Sequence, residues 1–584
     1  MLLFLLLVAA SITRAAAYST NIRDFDWSTV KPSANLSYTN CYDGLKCAKL
    51  LVPLDWLDEQ NPERVTLAIT ARPAVVAEND PSFGGTIIAN PGGPGGDGIS
   101  LILFRGKLLQ QIADGNKKYE ILSFDPRGVG RTTPSADCYQ NEFSRATFQQ
   151  QTRIMGGPDQ GSNALRQYFS RAHGHGALCA ENADIMGFMS TSSVARDMVQ
   201  IVDQLHELRH SSNKMDQGEG LPRVELRSSA DKTPRIQYWG FSYGTVLGRY
   251  FASMFPGRVG RMILEAVEDV YDYSSATWSE NLADVQKALE HLWETCYEAD
   301  ARCALYEKTD TGPHDIRDRV EKFMDELEAA PIPYLLDNSV VTMTKNDIVF
   351  AIFQSLYSPS DLFPNIARAI ASAMRGDYAM LFVFVNIPGR SLGCPLEPKL
   401  DTYTWGKDAQ AGIACGDGEP QTNLSMAGFQ EHLAKLQGDS PHFGPYWSTI
   451  RLACTGWRVR PKHRFTGPWK TPEPDNTPVE GKPAAPLLFV SSAIDPVTPL
   501  RMAEAARKDH PGSGLLVQDN VGHATATAAG TCRDNYVKKY WEHGTIPPEG
   551  TVCKQDWRPF LQCPQAAAAG QHTRDARWYP MGII

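Results

Sequence analysis

The chain has 584 residues, of which 42% are hydrophobic and 21% are charged, and its formal net charge is −9. This composition excludes a wholly disordered chain, a collagen and a coiled coil, and it supplies enough apolar material for a sizeable core. The small acidic excess gives no electrostatic reason to expect a nucleic acid as a partner.

The first residues predict export from the cell. Residues 2–10 are almost all apolar, and three alanines at 15–17 provide small residues at the spacing of a cleavage site. We therefore predict a signal peptide over 1–17 and a mature chain that starts near Tyr18. The alternative is an uncleaved membrane anchor, for which the apolar run is shorter than the ~20 residues of a spanning helix. A secreted protein without membrane association after cleavage is expected.

The twelve cysteines indicate disulfides. After a signal peptide an even set favours disulfide pairing, and no C-x-x-C pair suggests a zinc ribbon. Two pairs are close enough in sequence to predict, Cys41 with Cys47 and Cys296 with Cys303, and the other pairings stay open. Glycosylation sequons start at Asn35 and Asn423, which is consistent with secretion.

The first half of the chain alternates strand-like and helix-like segments. The residues from 192 to 208 carry apolar side chains at helical spacing, and the polar stretch 209–233 is expected to be a surface loop. Alternation of this kind predicts an α/β fold around a mostly parallel sheet. The predicted strands are 48–53, 65–71, 85–90, 120–125, 235–241 and 259–266, with the last two of the sheet at 486–491 and 514–518.

Between the sixth and seventh predicted strands, residues 275–465 have a mostly helical pattern. Apolar faces recur over 282–296, 316–327 and 347–373, and the segment 465–485 is rich in proline and polar residues, as in a return linker. We predict a sheet domain whose first part is 18–274 and whose C-terminal part is 466–584, with 275–465 inserted as a helical cap.

The most specific motif is Gly-Phe-Ser-Tyr-Gly at 240–244. It follows an apolar strand and precedes a helix-like run, which is the context of a nucleophile elbow with Ser242 as nucleophile. Glycine is needed on both sides because strand and helix pack closely around the turn. The pentapeptide alone also occurs in unrelated loops.

A serine hydroxyl is a poor nucleophile and needs a base. Asp495 follows one predicted strand and His523 follows the next, in the order Ser, Asp, His that this arrangement uses. Taken singly, Asp495 before a proline is a common turn former and His523 is one of thirteen histidines. Their joint position indicates an acid and a base that activate Ser242.

Two further stretches have competing interpretations. The glycine-rich loop at 90–96 follows the third predicted strand, where a backbone N–H for an oxyanion hole is expected, and a phosphate-binding loop is disfavoured because no Lys-Ser/Thr follows. His173 and His175 suggest a metal site, but no third ligand is apparent, so a loop is preferred. No metal or organic cofactor is predicted.

Together these motifs resemble the secreted tripeptidyl aminopeptidase branch of the prolyl aminopeptidase-like α/β-hydrolases. The resemblance covers about residues 45 to 565 and includes Asn-Pro-Gly-Gly-Pro-Gly at 90–95, Phe-Asp-Pro-Arg-Gly at 124–128, the elbow, Asp-Pro-Val-Thr-Pro at 495–499, Gly-His at 522–523, Ala-Cys-Gly-Asp at 414–417 and Cys-Thr-Gly-Trp at 454–457. It implies an α/β-hydrolase fold with an inserted helical cap that admits only chain ends, and a serine exopeptidase that removes short N-terminal peptides.

By position, the resemblance implies Ser242, Asp495 and His523 as the catalytic triad, with the backbone N–H groups of Gly93 and Tyr243 as oxyanion donors. It implies a structural role for the turn from Asp125 to Arg127.

The chain departs from the family at the end of the sixth strand. Relatives often have Leu-Asp-Gly there, whereas this chain has Leu264, Glu265 and Ala266. A bound α-amine needs a negative partner. Glu265 and Glu268 are candidates for that partner, although a structural role for both is preferred.

Three hypotheses follow. The first is a secreted serine aminopeptidase that acts on peptides. The second is an esterase or lactonase of a small metabolite with the same mechanism, because fold does not fix substrate. The third, a binding or adhesion protein without catalysis, is disfavoured because all three triad residues are present.

Overall fold

The computed structural model describes residues 25–215, 233–336, 339–385, 403–475 and 479–561. The predicted signal peptide, Cys394 and Cys563 lie outside the described residues. No helix in the described part of the chain is long and apolar enough to cross a membrane.

An eleven-stranded sheet is the centre of the described structure. Its strands run in the order β1-β3-β4-β6-β5-β7-β8-β11-β12-β13, with β2 paired to β3, and β9 and β10 form a separate hairpin. The strands are β1 Pro32–Ser33, β2 Thr39–Cys41, β3 Leu45–Pro53, β4 Arg64–Arg72, β5 Phe83–Asn90, β6 Lys118–Phe124, β7 Ile236–Phe241, β8 Val259–Glu265, β9 Ile332–Leu336, β10 Ser339–Met343, β11 Leu488–Ile494, β12 Gly514–Val521 and β13 Val552–Lys554.

The sheet is parallel from β6 through β13, and only the edge around β2, β3 and β4 contains antiparallel pairs. All eight predicted strands are present. One expectation was wrong: β12 is not the last strand, because Val552–Lys554 adds a short β13 beside it. The mostly parallel α/β sheet predicted from the alternation is confirmed.

Helices cover both faces of the sheet. They are α1 Gly98–Ala113, α2 Glu142–Ile154, α3 Ser162–Asn182, α4 Thr191–Met215, α5 Tyr243–Met254, α6 Val270–Ser275, α7 Val285–Ala299, α8 Pro313–Ala329, α9 Lys345–Ser355, α10 Pro359–Ala373, α11 Leu381–Phe384, α12 Gly406–Asp417, α13 Met426–Asp439, α14 Gly444–Thr455, α15 Leu500–Arg507 and α16 Thr531–His543.

Alternate side chains of the central strands enter two hydrophobic cores. On β6, Ile121 packs on one face with α1 and α16, while Leu122 packs on the other face with α4 and α5. Successive residues of a strand point to opposite faces, so a strand buried on both sides is apolar throughout. This two-sided burial fixes the strand register and hence the positions of the loops that leave the carboxyl edge of the sheet.

The predicted loop 209–233 was wrong at its start, because α4 continues to Met215. The polar residue Arg209 is held against the sheet: its guanidinium donates to Thr86 and lies 3.8 Å from Glu120. Contacts with the central strands β5 and β6 therefore accompany this extension of the helix, and the spacing of hydrophobic residues does not predict them. Residues 216–232 lie outside the described residues.

The chain between β8 and β11 is mostly helical, as predicted, and extends from α6 to α14. Residues 347–373 form two helices, and the hairpin of β9 and β10 was not expected. This segment covers the carboxyl edge of the sheet, where Tyr357 O accepts a hydrogen bond from His523 N. The architecture is an α/β-hydrolase fold with an inserted helical cap, and the exact boundaries at 275 and 465 stay a prediction.

Five disulfides join the described cysteines. The two predicted pairs, Cys41–Cys47 and Cys296–Cys303, are confirmed. The others are Cys138–Cys179, Cys415–Cys454 and Cys532–Cys553. Disulfides at this density indicate an oxidising, extracellular environment.

A buried ion pair connects the turn after β6 to α4. Arg127 Nε and Nη2 donate to the two carboxylate oxygens of Asp197 at 2.6 and 2.7 Å, and both side chains are fully buried. The guanidinium also donates to Pro53 O and Leu54 O at the end of β3. The planar Arg127 guanidinium thus has hydrogen-bond acceptors for its N–H groups, which gives this turn a structural role.

We expect Asp197→Asn to lower the free energy of unfolding by about 3–5 kcal/mol, because it leaves a buried guanidinium charge without its partner. Urea denaturation followed by tryptophan fluorescence measures the loss. The matched control is Asp203→Asn on the same helix, which removes the half-exposed pair with Arg258 and should cost about 0–1 kcal/mol. Equal losses in the two variants would contradict the structural role of the buried pair.

Candidate active site

Ser242 lies in a strained turn between β7 and α5. Its φ is 55° and its ψ is −127°, a conformation that non-glycine residues rarely adopt. Thr245 holds the turn by donating from its N and its Oγ1 to Ser242 O at 2.8 and 2.6 Å. A β-carbon on Gly240 would lie 2.3 Å from Gly244 O, so the motif needs glycine there. The result is a half-buried serine raised above the sheet edge.

The loop after β5 passes directly beside this turn. A β-carbon on Gly92 would lie 2.9 Å from Ser242 Cβ and 3.1 Å from Tyr243 N, and the φ of Gly92 is 95°. Tyr243 begins α5, so its N–H has no acceptor one helical turn earlier. The predicted donors Gly93 and Tyr243 therefore lie on two backbone segments that meet next to the serine, as an oxyanion hole requires.

Asp495 and His523 are in direct contact at the ends of β11 and β12. His523 Nδ1 lies 3.0 and 3.1 Å from the two carboxylate oxygens of Asp495, and both side chains are almost completely buried. The carboxylate also accepts backbone N–H groups from Val497, Thr498 and Ala524. Donation from Nδ1–H to the carboxylate fixes the tautomer in which Nε2 is free to act as a base.

The structure brings all three predicted residues to the carboxyl edge of the sheet, but only two of them, Asp495 and His523, are in direct contact. Among the described residues, the Ser242 hydroxyl makes no hydrogen bond to the His523 ring. In an unliganded site such contacts are often long and tighten when substrate binds. The acid–base half of the arrangement is thus formed, and the nucleophile follows β7, which β8 separates from β11.

Glu265, at the end of β8, is occupied by protein groups. Its carboxylate accepts hydrogen bonds from Trp239 Nε1, Thr525 Oγ1 and Ala526 N at 2.7 to 2.9 Å, and it is completely buried. These contacts tie β7 and β8 to the loop that carries His523. This geometry supports the structural role, so amine binding by Glu265 does not enter the function proposed below.

Glu268 has a different environment. Its two oxygens accept only from the side-chain amide of Asn281, at 3.0 and 2.9 Å, and no Lys, Arg or His pairs with it among the described residues. Burial raises the pKa of this carboxyl well above its usual range. Asn281 Oδ1 is itself buried without a partner. A carboxyl in this environment favours its neutral form unless a cation lies beside it.

The cap adds a tyrosine that no sequence motif indicates. The ring of Tyr357 packs against His523 with centroids 5.0 Å apart, and its hydroxyl is buried without a hydrogen-bond partner. Burial raises the pKa of this phenol well above its ordinary value, and the nearby Tyr446, Asp495 and Glu268 add to the shift. Tyr357 and Asn281 therefore each bring an unsatisfied polar atom to the neighbourhood of the acid–base pair.

A second cap segment packs on the oxyanion loop. Tyr403 OH donates to Gly95 O at 2.7 Å, and Trp405 Nε1 donates to Gly128 O at 2.9 Å. A β-carbon on Gly95 would lie 2.9 Å from Gly406 O. The start of α12 thus forms one wall beside the oxyanion loop, a contact over some 300 residues of chain that no local pattern reveals.

The side chain after the nucleophile is also anchored from the cap. Tyr243 OH and Asp417 both bind the Thr191 hydroxyl, and Tyr273 OH donates to the same Asp417 carboxylate at 2.8 Å. This network connects α5, α4 and α12. It fixes the side chain of Tyr243, the residue whose backbone N–H is a predicted oxyanion donor.

The expectation of a loop at His173 and His175 was wrong, because both residues lie in α3. The glycines of this segment do not interrupt the helix: a β-carbon on Gly176 would lie 2.2 Å from Gly456 O, so glycine there allows two segments to approach closely. His175 Nε2 lies 2.9 Å from Asp408, near the Cys138–Cys179 disulfide. Arg145 already neutralises Asp408 at 2.6 Å, and both cysteine sulfurs are bonded.

The two predicted glycosylation sites, Asn35 and Asn423, are exposed. In the second sequon, the Ser425 side chain caps α13 by accepting from Gly428 N. Glycosylation at either site stays a prediction.

Comparison with known proteins finds one family model that matches part of the chain and several relatives that match most of it. A family model described as TAP-like protein matches residues 440–553, which include Asp495 and His523. The chain is 24% identical over 518 residues to serine protease Hip1 of Mycobacterium tuberculosis, covering 87% of each chain. It is 23% identical over 555 residues to tripeptidyl aminopeptidase of Streptomyces lividans, covering 93% of this chain and 88% of the relative.

A third relative is named for a different activity. Carboxylesterase B of Mycobacterium tuberculosis is 24% identical over 520 residues, covering 87% of this chain and 86% of the relative. Two relatives with peptidase names and one with an esterase name thus match nearly the same length of chain.

We expect Gly92→Ala to lower the free energy of unfolding by about 3 kcal/mol or more and to reduce any Ser242-dependent turnover by roughly 100-fold. The new β-carbon would overlap Phe241 O, at 2.4 Å, and displace the turn. Thermal denaturation and hydrolysis rates measure both effects.

The matched control is Gly44→Ala. Gly44 also has a positive φ, but a β-carbon there meets nothing within 4 Å. Only the conformational cost remains, about 1–2 kcal/mol, with unchanged turnover. If the two variants behave alike, close packing of this loop on the nucleophile turn is not required.

Proposed function

This chain belongs to the TAP-like family of α/β-hydrolases, and on that premise we propose that it is a secreted serine aminopeptidase that releases short peptides from free N-termini. The observation that carries the proposal is the buried contact of His523 Nδ1 with Asp495 at the sheet edge that also holds the strained Ser242. Secretion through the signal peptide at 1–17 and glycosylation at Asn35 and Asn423 belong to the same proposal.

In the proposed mechanism, His523 Nε2 takes the proton of the Ser242 hydroxyl while Oγ attacks the peptide carbonyl. Asp495 keeps the ring in the required tautomer and stabilises the imidazolium. The N–H groups of Gly93 and Tyr243 bind the oxyanion, which carries the charge that develops in the transition state. The imidazolium then protonates the departing amine, and water, activated by His523, hydrolyses the acyl-enzyme.

We assign the α-amine of the substrate to Glu268. This carboxyl is buried, lies near Asp495 and has no cationic partner among the described residues. Asn281 Oδ1 and the Tyr357 hydroxyl, both without hydrogen-bond partners, provide further acceptors for an ammonium group. A free N-terminus carries an ammonium that can bind these buried acceptors, whereas a blocked N-terminus does not. The assignment therefore accounts for a requirement for a free chain end in the proposed function.

The function is tested with arylamides of one, two and three amino acids, each with a free and a blocked N-terminus, beside a short-chain aryl ester. We expect the purified protein to cleave the free arylamides and not the blocked ones. Ser242→Ala should lose turnover by several orders of magnitude and keep its melting temperature. Ester cleavage with every arylamide inert would contradict the peptidase and favour the esterase alternative.

We expect Glu268→Gln to raise KM for free-amine substrates by about 10- to 100-fold, since a charged hydrogen bond contributes roughly 1.5–3 kcal/mol. Blocked substrates should be affected little, so the preference for a free N-terminus should collapse. Glu280→Gln is the matched control, because that carboxylate is partly exposed and paired with Lys435 and Arg501. An unchanged preference in Glu268→Gln would show that another group binds the amine.

A further inference from the structure

The cap segment that packs on the oxyanion loop contains a lysine for which the proposed mechanism has no use. Lys407 is the second residue of α12, whose first turn packs on Gly95. Its Nζ lies 5.8 Å from the centre of the Tyr446 ring. Tyr446 is connected through Phe353 to Tyr357, which touches His523. Lys407 therefore lies between the oxyanion loop and the aromatic side chains that surround the proposed base.

The ammonium of Lys407 has no acidic partner among the described residues. Its one polar contact is Gln410 Oε1, at 3.4 Å. The neighbouring acid on the helix, Asp408, is already bound by Arg145 and His175. The side chain as a whole is exposed, yet desolvation around the ammonium lowers the pKa of Lys407 to about 8. Within the part of the chain that the structure describes, this cation therefore has no acidic counter-charge.

A second donor accompanies this cation. Gln410 is 7% exposed, and its Nε2 is buried without a hydrogen-bond partner. Because Nε2 and Oε1 share one carbon, the contact of Oε1 with Lys407 brings the amide N–H₂ next to the ammonium. An unpartnered buried donor has a free-energy cost that a ligand relieves. Both groups now offer hydrogens only, since Gln410 Oε1 is engaged.

We propose that Lys407 and Gln410 form a carboxylate-binding subsite, and that the preferred substrates are short peptides whose scissile bond lies close to a carboxylate. The inference rests on the proposed peptidase function and deepens it. Two adjacent donors, one of them charged, match the two oxygens of a carboxylate and do not match a neutral amide or an ammonium. The carboxylate comes either from the free C-terminus of the released residue or from an acidic side chain.

The subsite complements the proposed amine site. Among the described residues, Glu268 has no cationic partner and Lys407 has no acidic one. A short peptide with both ends free places its ammonium at Glu268 and its carboxylate at Lys407. A long chain places only its ammonium. The enzyme is accordingly suited to short peptides and not to intact proteins.

The experiment compares matched peptides. Each contains the acyl segment that is cleaved best as an arylamide, followed by alanine as the free acid, alanine amide or glutamate amide, and chromatography measures release of the acyl segment. In the wild type we expect kcat/KM for at least one carboxylate-bearing peptide to exceed that of the alanine amide by about 10- to 100-fold, mainly through KM. Which of the two gains identifies the source of the carboxylate.

Lys407→Met keeps the apolar stem and removes the charge. We expect it to abolish the advantage of the carboxylate-bearing peptide and to leave kcat/KM for the alanine amide unchanged. Lys407→Arg should retain most of the preference, and Lys435→Met, which removes an exposed lysine from the cap, should behave as the wild type.

Two results would overturn the subsite: a wild type that does not distinguish the three peptides, or a Lys407→Met variant that loses equal activity on all of them. Cleavage of arylamides with a free N-terminus is measured in the same preparations. If it persists while either result is found, the subsite is wrong and the peptidase proposal stands; if no arylamide is cleaved, the peptidase proposal itself is wrong.

Discussion

The strained backbone of Ser242 is the constraint on which the rest of the site depends. A non-glycine residue at φ 55° and ψ −127° has an energetic cost of about 1–3 kcal/mol and persists only when surrounding packing enforces it. Three contacts enforce it here. Thr245 donates two hydrogen bonds to Ser242 O, and Ser242 N donates to Glu265 O at the end of β8. Gly92 packs so closely on Ser242 that a β-carbon on Gly92 would lie 2.9 Å from the Ser242 β-carbon. The same packing that produces the strain exposes the hydroxyl and aligns the neighbouring N–H groups.

Buried polar contacts also fix the positions of the other parts of the site. The Glu265 carboxylate binds Trp239 beside the elbow and Thr525 beside His523, so nucleophile and base are positioned by one side chain. From the cap, Tyr357 O binds His523 N and Tyr403 OH binds Gly95 O. The cap therefore does more than restrict access. It contacts both the proposed base and the oxyanion loop, and it carries Lys407 and Asn281, the hydrogen-bond partner of Glu268.

Sequence alone predicted the features that depend on local pattern. The eight strands, the elbow and the positions of Asp495 and His523 follow from periodicity and from the order in which loops leave a parallel sheet. It could not predict groups that tertiary packing assembles from distant elements, such as Asn281 with Glu268 or Lys407 beside Gly95. The two wrong loop predictions fall at contacts of the same kind: Arg209 of α4 contacts Glu120 and Thr86, and Gly176 of α3 lies against Gly456.

The most direct test of Ser242 as an activated nucleophile is covalent labelling of the full-length protein with diisopropyl fluorophosphate, read by intact mass and peptide mapping. We predict a single adduct per chain, on Ser242, formed with loss of fluoride. His523→Ala should label far more slowly, because no base removes the serine proton. An unlabelled protein, an adduct on another residue or equal labelling of His523→Ala would contradict the account.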